Sequence, residues 1–520
     1  MSAQQQSTTK GKSRRWVQWI MKGGLWLGAV SLTLVVLFIY SAHGDIKKLY
    51  GADTQLVDSS QFMPTDGPLL IRNVSILSPN GEQMLPATDV LIEDGKIAAI
   101  GDDIVAPKKL FEVDGAGKFL IPGLVDSHAH VMHSENDLLL YLANGVTHIR
   151  ELAGSEKHLA LRDEIGAGRL GPRMYVASPQ LDTDGFWLGL YRDFTRFSRN
   201  VYDPETAREV VWELDRKGYD AIKLYDLNVE TYRAINAEAG IAGIPTLGHL
   251  PVDMDLDELS STGQQEIAHI EELVKLLLRD FGSVRQQGTD AFRDFAAERS
   301  DRIAKDLAGN QIAVHSVLWF MESIERQFDD LENLLGEVRL EYANPGIVEG
   351  NQYAGFGWLP ERNRFRRDDA DSVEENELLM DFWQARKDAH HLLLKAMIAN
   401  GVVLLAATDS NADLVVPGFS LHDELQSLNQ AGMSIPEVLK SATSHPADLM
   451  NSNAGYIEEG KRADLVLLNK NPLVQMGNTR SIEAVIVNGR YLQRKQLDAM
   501  LQSVKEANNR SREMDIGHYL

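Results

Sequence analysis

The sequence predicts an α/β chain built as a TIM-type (β/α)8 barrel, with a small β-sandwich assembled from both flanks and a transmembrane helix at the N-terminus. Three observations carry this: an uncharged apolar run near the start, short alternating strands with hairpin turns on both flanks, and eight apolar strands interleaved with helical stretches between them. At 520 residues and 44% hydrophobic composition the chain has ample material for a large core.

The N-terminal element comes first. No charged residue lies between Lys22 and Asp45, and residues 23–42 read GGLWLGAVSLTLVVLFIYSA, about the twenty residues that span a bilayer as a helix. Lys10, Lys12, Arg14, Arg15 and Lys22 precede it with no acidic residue, so the positive-inside rule leaves residues 1–22 as a cytoplasmic tail and sends the rest across, to the outer or periplasmic side. Trp16, Trp19 and Tyr40 stand where interfacial aromatics belong. The alternative is a cleaved, exported chain: Ala42-His43-Gly44 is a small-x-small site, although the apolar run is long for a signal peptide. Residues 45–66 then read as a linker.

The flanks are next. "LLIRNVSILSPNGEQ", "DVLIEDGKIAAIG" with its Asp94-Gly95 turn, and "FEVDGAGKFLIPG" are short antiparallel strands, and "ADLVLLNKN" and "IEAVIVNGRYLQ" have the same texture. Residues 67–120 and 450–495 are therefore expected to form one composite sandwich around a barrel at 121–449, leaving 496–520 as a C-terminal tail. Within the barrel the strands are read at 124–130, 145–151, 173–179, 219–225, 245–250, 266–270, 311–317 and 402–409. "DPETAREVVWELDRKG" is a helix with an Asp cap, a first-turn proline and a terminal glycine. About 318–390 is an insertion whose Gly-, Pro- and aromatic-rich centre is placed to lid a site, or else is a partly disordered excursion.

Composition narrows the partners. The tail takes 5 of the 52 basic residues and none of the 75 acidic ones, leaving 47 against 75 beyond it, a net charge of −28. Such a surface repels nucleic acid and anionic headgroups, which points to a small-molecule substrate and to the N-terminal helix as the membrane contact. The absence of cysteine removes disulfides and thiolate metal sites. A homo-oligomer is compatible with the sequence.

The chemistry gathers at strand ends. His128 and His130 share a face two residues apart at the mouth of the first strand, with Asp126 placed to support them. His249 ends the fifth strand, His269 the sixth and Asp409 the eighth. Lys223 lies inside the apolar strand "DAIKLY", where a bare ammonium would repel nearby cations. Two readings of it stand: an ammonium reaching the rim toward Asp226, or an amine that carbon dioxide has converted to a carbamate, an anionic bridge between two metals.

The order His-x-His, Lys, His, His, Asp on successive strands, with "FLIPGLVDSHAH", "GVTHIRE", "PGFSLHDELQSLNQAGMSIPEVLKSAT", "HPAD" and "GYIEEGKRADLVLLNKNPL", resembles the amidohydrolase superfamily and its binuclear imidazolonepropionase-like and prolidase-like branch over residues 67–495. The resemblance implies that His128, His130 and Asp409 bind one divalent metal, that His249 and His269 bind a second, and that carbamylated Lys223 bridges both. Zinc suits these ligands, as do manganese, cobalt and iron. Asp409 would be the catalytic base, taking a proton from a metal-bridging water as it attacks an amide of a dipeptide, an N-acyl amino acid or a cyclic amide. His133, Arg150, Tyr225 and His315 are candidates to contact substrate, whose carboxylate, if present, needs a local positive group. His445-Pro446-Ala447 stands where relatives carry Asn-Pro-Ala. The rivals are a mononuclear deaminase or a lactonase of the same fold, and an anchored binding protein without catalysis.

Overall fold

The computed structural model describes residues 7–105, 107–196, 198–351, 356–367 and 372–520. Of the expected basic tail, residues 1–6 lie outside the described residues, as do the side chains of Lys10, Lys12, Arg14, Arg15 and Trp16; so do 352–355 and 368–371 of the expected insertion.

All eight expected strands form, in chain order: β1 (Leu124–Ala129), β2 (Val146–Glu151), β3 (Arg173–Val176), β4 (Ile222–Leu224), β5 (Thr246–Gly248), β6 (Glu266–Ile267), β7 (Ala313–His315) and β8 (Leu404–Leu405). Strands β1–β3 make one parallel sheet, and β4–β8 continue a second from the short strands Leu181–Asp182 and Arg199–Asn200. Backbone bonds connect the two sheets at both edges. Beyond β3, Ala177 bridges Ala221 and the Ser178 N–H donates to the Ala221 carbonyl at 2.8 Å. On the other side the Ser127 N–H donates to Ala406 O at 3.0 Å and the Asp409 N–H to His128 O at 2.9 Å. β1 is buried at all six positions, as a parallel strand covered on both faces must be, which is why it reads as a nearly continuous apolar run.

The two flanks are joined by strand pairing in one sheet. Leu465–Leu468 pairs antiparallel with Phe119–Pro122, Val466 opposite Ile121, so strands from both ends of the chain share one eight-stranded sheet. The sequence returns to its starting sheet after some 340 residues, and the strands β1–β8 are thereby held between fixed ends.

Helices supply the outer layer. α1 (Ser7–Leu49) runs unbroken through the apolar stretch, exposed from 24 to 41 and then buried along one side at Ala42, Ile46 and Leu49, and its Gly24–Leu49 portion is long and apolar enough to cross a membrane. The expected linker is thus partly helix and partly packed, with Ile46, Leu49 and Tyr50 buried. α2 (Phe186–Arg196) follows β3, and α3 (Pro204–Lys217) has its predicted ends: Asp203 accepts from Thr206 N at 2.8 Å, Pro204 opens the first turn, and Gly218 closes it at φ +83°. α4 (Ile270–Phe281) starts directly after His269.

The expected insertion holds α5 (Leu318–Glu337), the short α6 (Pro345–Glu349) and the first half of α7 (Val373–Asn400). Ser372 and Glu375 cap α7 reciprocally, and Ala385, Ala389, Leu393, Leu394 and Met397 bury its inner face. The segment is therefore mostly packed helix. Residues 496–520 are likewise more than a tail: α8 (Arg494–Ser511) buries Leu497, Met500 and Val504, about 1.5–3 kcal/mol for each such side chain. The Asn508 amide donates to Tyr342 O at 2.9 Å and Ala343 O at 3.1 Å.

Candidate metal centre

Strand direction decides which side chains meet. Because β1, β4, β5, β6 and β8 run parallel, their C-terminal ends lie on one face, and a cavity of about 470 Å³ opens there with His128, His130, Lys223, His249, His269 and Asp409 on its wall. Residues separated by up to 281 positions in sequence become neighbours.

The first donor group is His128, His130 and Asp409. The two Nε2 atoms are 3.2 Å apart, and Asp409 Oδ1 lies 3.3 Å from His128 Nε2 and 3.1 Å from His130 Nε2. The second is His249, His269 and Glu272, whose donor atoms also converge. The His128 and His269 rings stack at 5.3 Å between centroids, which brings the groups side by side.

Four imidazoles turn Nδ1 toward an oxygen, with hydrogen bonds at His128 and His130 and none at His269. Nδ1 of His128 faces Ala268 O at 3.3 Å, Nδ1 of His130 faces Glu151 Oε1 at 3.3 Å, and Nδ1 of both His249 and His269 lies 3.5 Å from Glu272 Oε1. At His128 and His130 the acceptor at Nδ1 favours the proton there and leaves the Nε2 lone pair for a cation. Burial first, then neighbouring positive groups (Lys223 foremost for His128, His269 for His249), pushes both well below the usual histidine range, so both are neutral donors. Burial opposes ionisation of Asp409, but the His130 contact outweighs it and lowers its pKa to about 2. Donors of this kind, converging from four strand ends, fit a pair of divalent cations.

Lys223, on the same cavity wall, is fully buried, and its Nζ has no hydrogen-bond partner. Burial lowers its pKa to about 8 against the pull of Asp409 and Glu272, so much of the amine is neutral near pH 8. The rim reading of Lys223 fails on this burial, and Asp226 pairs instead with Arg192 at 2.8 Å.

A family model described as "Amidohydrolase family" matches residues 365–492. A solved structure, bottromycin amidohydrolase, is 25% identical, with a TM-score of 0.65 over 84% of this chain and 90% of its own. Over residues 365–492 the chain is therefore similar to the amidohydrolase family, and it shares the fold of solved amidohydrolases over most of its length. A putative prolidase from Bifidobacterium longum shares the fold at 21% identity and a TM-score of 0.56, covering 85% of this chain and all of its own. A deacetylase from Brucella anthropi is 42% identical over 72 residues, 14% of this chain and only 18% of the relative's length.

Two expected substrate contacts lie elsewhere. Arg150 is fully buried and makes a bidentate pair with Glu266, at 2.6 and 2.8 Å, and its guanidinium lies 4.7 Å from the Tyr175 ring. His315, also fully buried, donates from Nε2 to the same Glu266 at 2.9 Å. Neither is on the cavity wall; together they cross-link β2, β6 and β7 beneath it. Arg150→Leu leaves Glu266 facing one imidazole in place of a guanidinium, and a loss of about 3–5 kcal/mol of stability is expected, measurable as a lowered denaturation midpoint.

Tyr225 and His133 do reach the cavity. The Tyr225 ring lies 4.2 Å from that of His249. Burial, helped by Lys157, lowers His133 to about 4, so at neutral pH it meets a ligand as an uncharged ring. Asp126 is one layer down, accepting from Thr408 Oγ1 at 2.6 Å and from His128 N at 3.2 Å, and so ties the end of β1 to that of β8. His445 faces Leu404 O through Nδ1 at 3.2 Å, a support beneath β8.

Sequence reasoning missed Glu151, Glu272 and Arg364. Glu151 takes the Val131 N–H at 2.6 Å while it orients His130. Glu272, one turn into α4, takes the Leu250 N–H at 3.1 Å and faces two imidazoles at once; the spacing His269-x-x-Glu272 was the available signal. Glu272→Gln keeps the shape but removes the charge facing both Nδ1 atoms, and metal affinity measured by chelator competition is expected to fall roughly 10–100-fold. Arg364, from the segment before α7, puts a guanidinium on the cavity wall, paired with Asp413 at 2.7 Å.

Proposed function

We propose that this chain is a membrane-anchored, binuclear metal-dependent amidohydrolase that cleaves the C–N bond of a small amide. The observation that carries the reading is that two donor groups and a buried, unpartnered lysine share the wall of one cavity. His128, His130 and Asp409 would hold one cation, His249 and His269 the other, with Lys223 as its carbamate between them. Zinc suits this set, as do manganese, cobalt and iron. When bound, the two cations polarise the substrate carbonyl and acidify water at neutral pH.

The chain's own residues do the rest. Ionised Asp409 accepts the proton of the attacking water and passes it to the departing nitrogen as the C–N bond breaks. Glu151 and Glu272 keep the imidazoles aimed. Tyr225 packs beside the reacting group, and Arg364 is the group best placed for a substrate carboxylate, as in a dipeptide or an N-acyl amino acid. Arg364→Met is expected to raise KM for a carboxylate-bearing amide roughly 10–100-fold with kcat little changed; an unaltered KM would remove that role. The test of the activity itself is hydrolysis of dipeptides and N-acyl amino acids by metal-loaded protein, followed by amine release; no turnover on amides alongside good turnover on lactones would overturn it.

The wider architecture follows. The reading of β1–β8 as a closed barrel is supported by the bonds that tie β3 to β4 and β8 to β1. The reading of the flank sheet as a sandwich is supported by Leu69–Ile76, which pairs with Thr88–Glu93 along its first half and with Phe119–Pro122 at its last two residues. Retention of α1 as an uncleaved anchor is supported by its continuity across Ala42-His43-Gly44 into the packed Ile46 and Leu49.

A further inference from the structure

α1 is exposed from 24 to 41, eighteen apolar and small residues, which at 1.5 Å each amount to about 27 Å, close to the ~30 Å hydrocarbon core of a bilayer. Burial starts at Ala42 with no spacer, so the face of the globular part that α1 enters must rest against the membrane. Tyr50 follows nine residues after Ser41, about 14 Å along the same axis, and it lies on the wall of the metal cavity. Its carbonyl accepts the His133 N–H at 3.1 Å, and its hydroxyl lies 3.4 Å from Thr195 O at the end of α2. The mouth of the cavity is therefore beside the point where the chain leaves the lipid.

α2 packs against α1 there. It exposes Trp187 (79%), Leu188, Leu190 and Tyr191, the i, i+1, i+3, i+4 pattern of one helical face, while Tyr191 and Thr195 line the cavity. An apolar face of this kind, continuous with the apolar surface of a spanning helix, suits the headgroup–acyl boundary. The net charge of −28 beyond the span rules out electrostatic attachment to anionic lipid, so burial of apolar area has to supply the contact.

We propose that the cavity opens at the bilayer surface, with α2 lying in the interface beside α1, and that the substrate is an amide with a long acyl chain, such as an N-acyl amino acid. The chain stays in the lipid or against α2 while the amide reaches the metal centre. This rests on the reading of α1 as an anchor and of the cavity as an amide-hydrolysing site.

The cysteine-free sequence gives a direct test. The full chain is reconstituted in phosphatidylcholine vesicles with a single spin label at Leu190→Cys, at Val35→Cys in α1, or at the exposed Val474→Cys in the globular part. Accessibility to oxygen and to a water-soluble nickel chelate is then read. The expected result is oxygen-rich, chelate-protected labels at 35 and 190 and a chelate-accessible label at 474. A label at 190 that behaves as at 474, with 35 in lipid, overturns the interfacial helix alone. A label at 35 in water overturns the anchor and this inference together. Dipolar broadening at 190 with protection from both reagents means a second copy covers α2, and also overturns it. For the substrate, Trp187→Ser/Leu188→Ser/Leu190→Ser is expected to lower kcat/KM for an N-lauroyl amino acid in vesicles about tenfold or more and to leave the N-acetyl analogue unchanged. Equal effects on both, or on neither, overturn the long-chain assignment; no hydrolysis of either by the unsubstituted protein overturns the amide reading beneath it.

Discussion

Asp409→Asn is expected to lower kcat on amides by roughly 10²–10⁴-fold while the protein keeps its metal, as measured by steady-state turnover beside metal analysis. Asp409 follows β8 in the left-handed region at φ +56°, held there by its N–H on His128 O. Asparagine tolerates that conformation better than most residues, so the backbone stays as it is. Its amide oxygen remains a donor at Oδ1, beside His128 and His130. What is lost is a carboxylate able to take a proton from water and return it to the leaving nitrogen. Full activity in this variant would assign the proton transfer elsewhere and leave Asp409 as a ligand only.

Lys223→Ala is expected to take metal content from about two ions per chain to about one or fewer, with a matching loss of turnover. A buried ammonium with no partner, on a wall shared with two groups of imidazoles, is an unstable arrangement. Its lowered pKa, about 8, supplies neutral amine. That nitrogen can attack carbon dioxide, forming the N–C bond, releasing one proton and leaving an anionic carboxylate on the side chain. Carbon-13 NMR of protein grown with labelled bicarbonate should then contain a carbamate signal that the variant lacks. Two ions in both proteins, with no such signal, would make Lys223 an ordinary lysine. One ion in the unsubstituted protein would favour the mononuclear deaminase reading.

Much of this site is legible in the linear chain because strands have a simple period. A parallel strand places every second residue on one face, so His128 and His130 announce themselves, and a strand that ends in His, His or Asp marks the same end of the same fold each time. Lys223 was informative for the same reason: a charge inside an apolar run is rare enough to demand a cause. Glu266 carries that signal too, in "EIAHI", but its partner Arg150 is 116 residues away on another strand, and nothing local distinguishes a carboxylate that binds a guanidinium from one that binds a metal.

The amino-acid sequence by itself determined the strand order, the membrane-length helix, the flanking sheet and the four strand ends that carry donors, because these depend on composition and short-range periodicity. Tertiary structure alone decided the rest. It turned Arg150 and His315 toward Glu266, brought Glu272 under two imidazoles, put Arg364 on the cavity wall, and docked α8 where a tail was expected. It also brought the base of α1 and the apolar face of α2 to one rim of the cavity. Each of these depends on which distant side chain fills a given space, and packing settles that only when all the elements are in place.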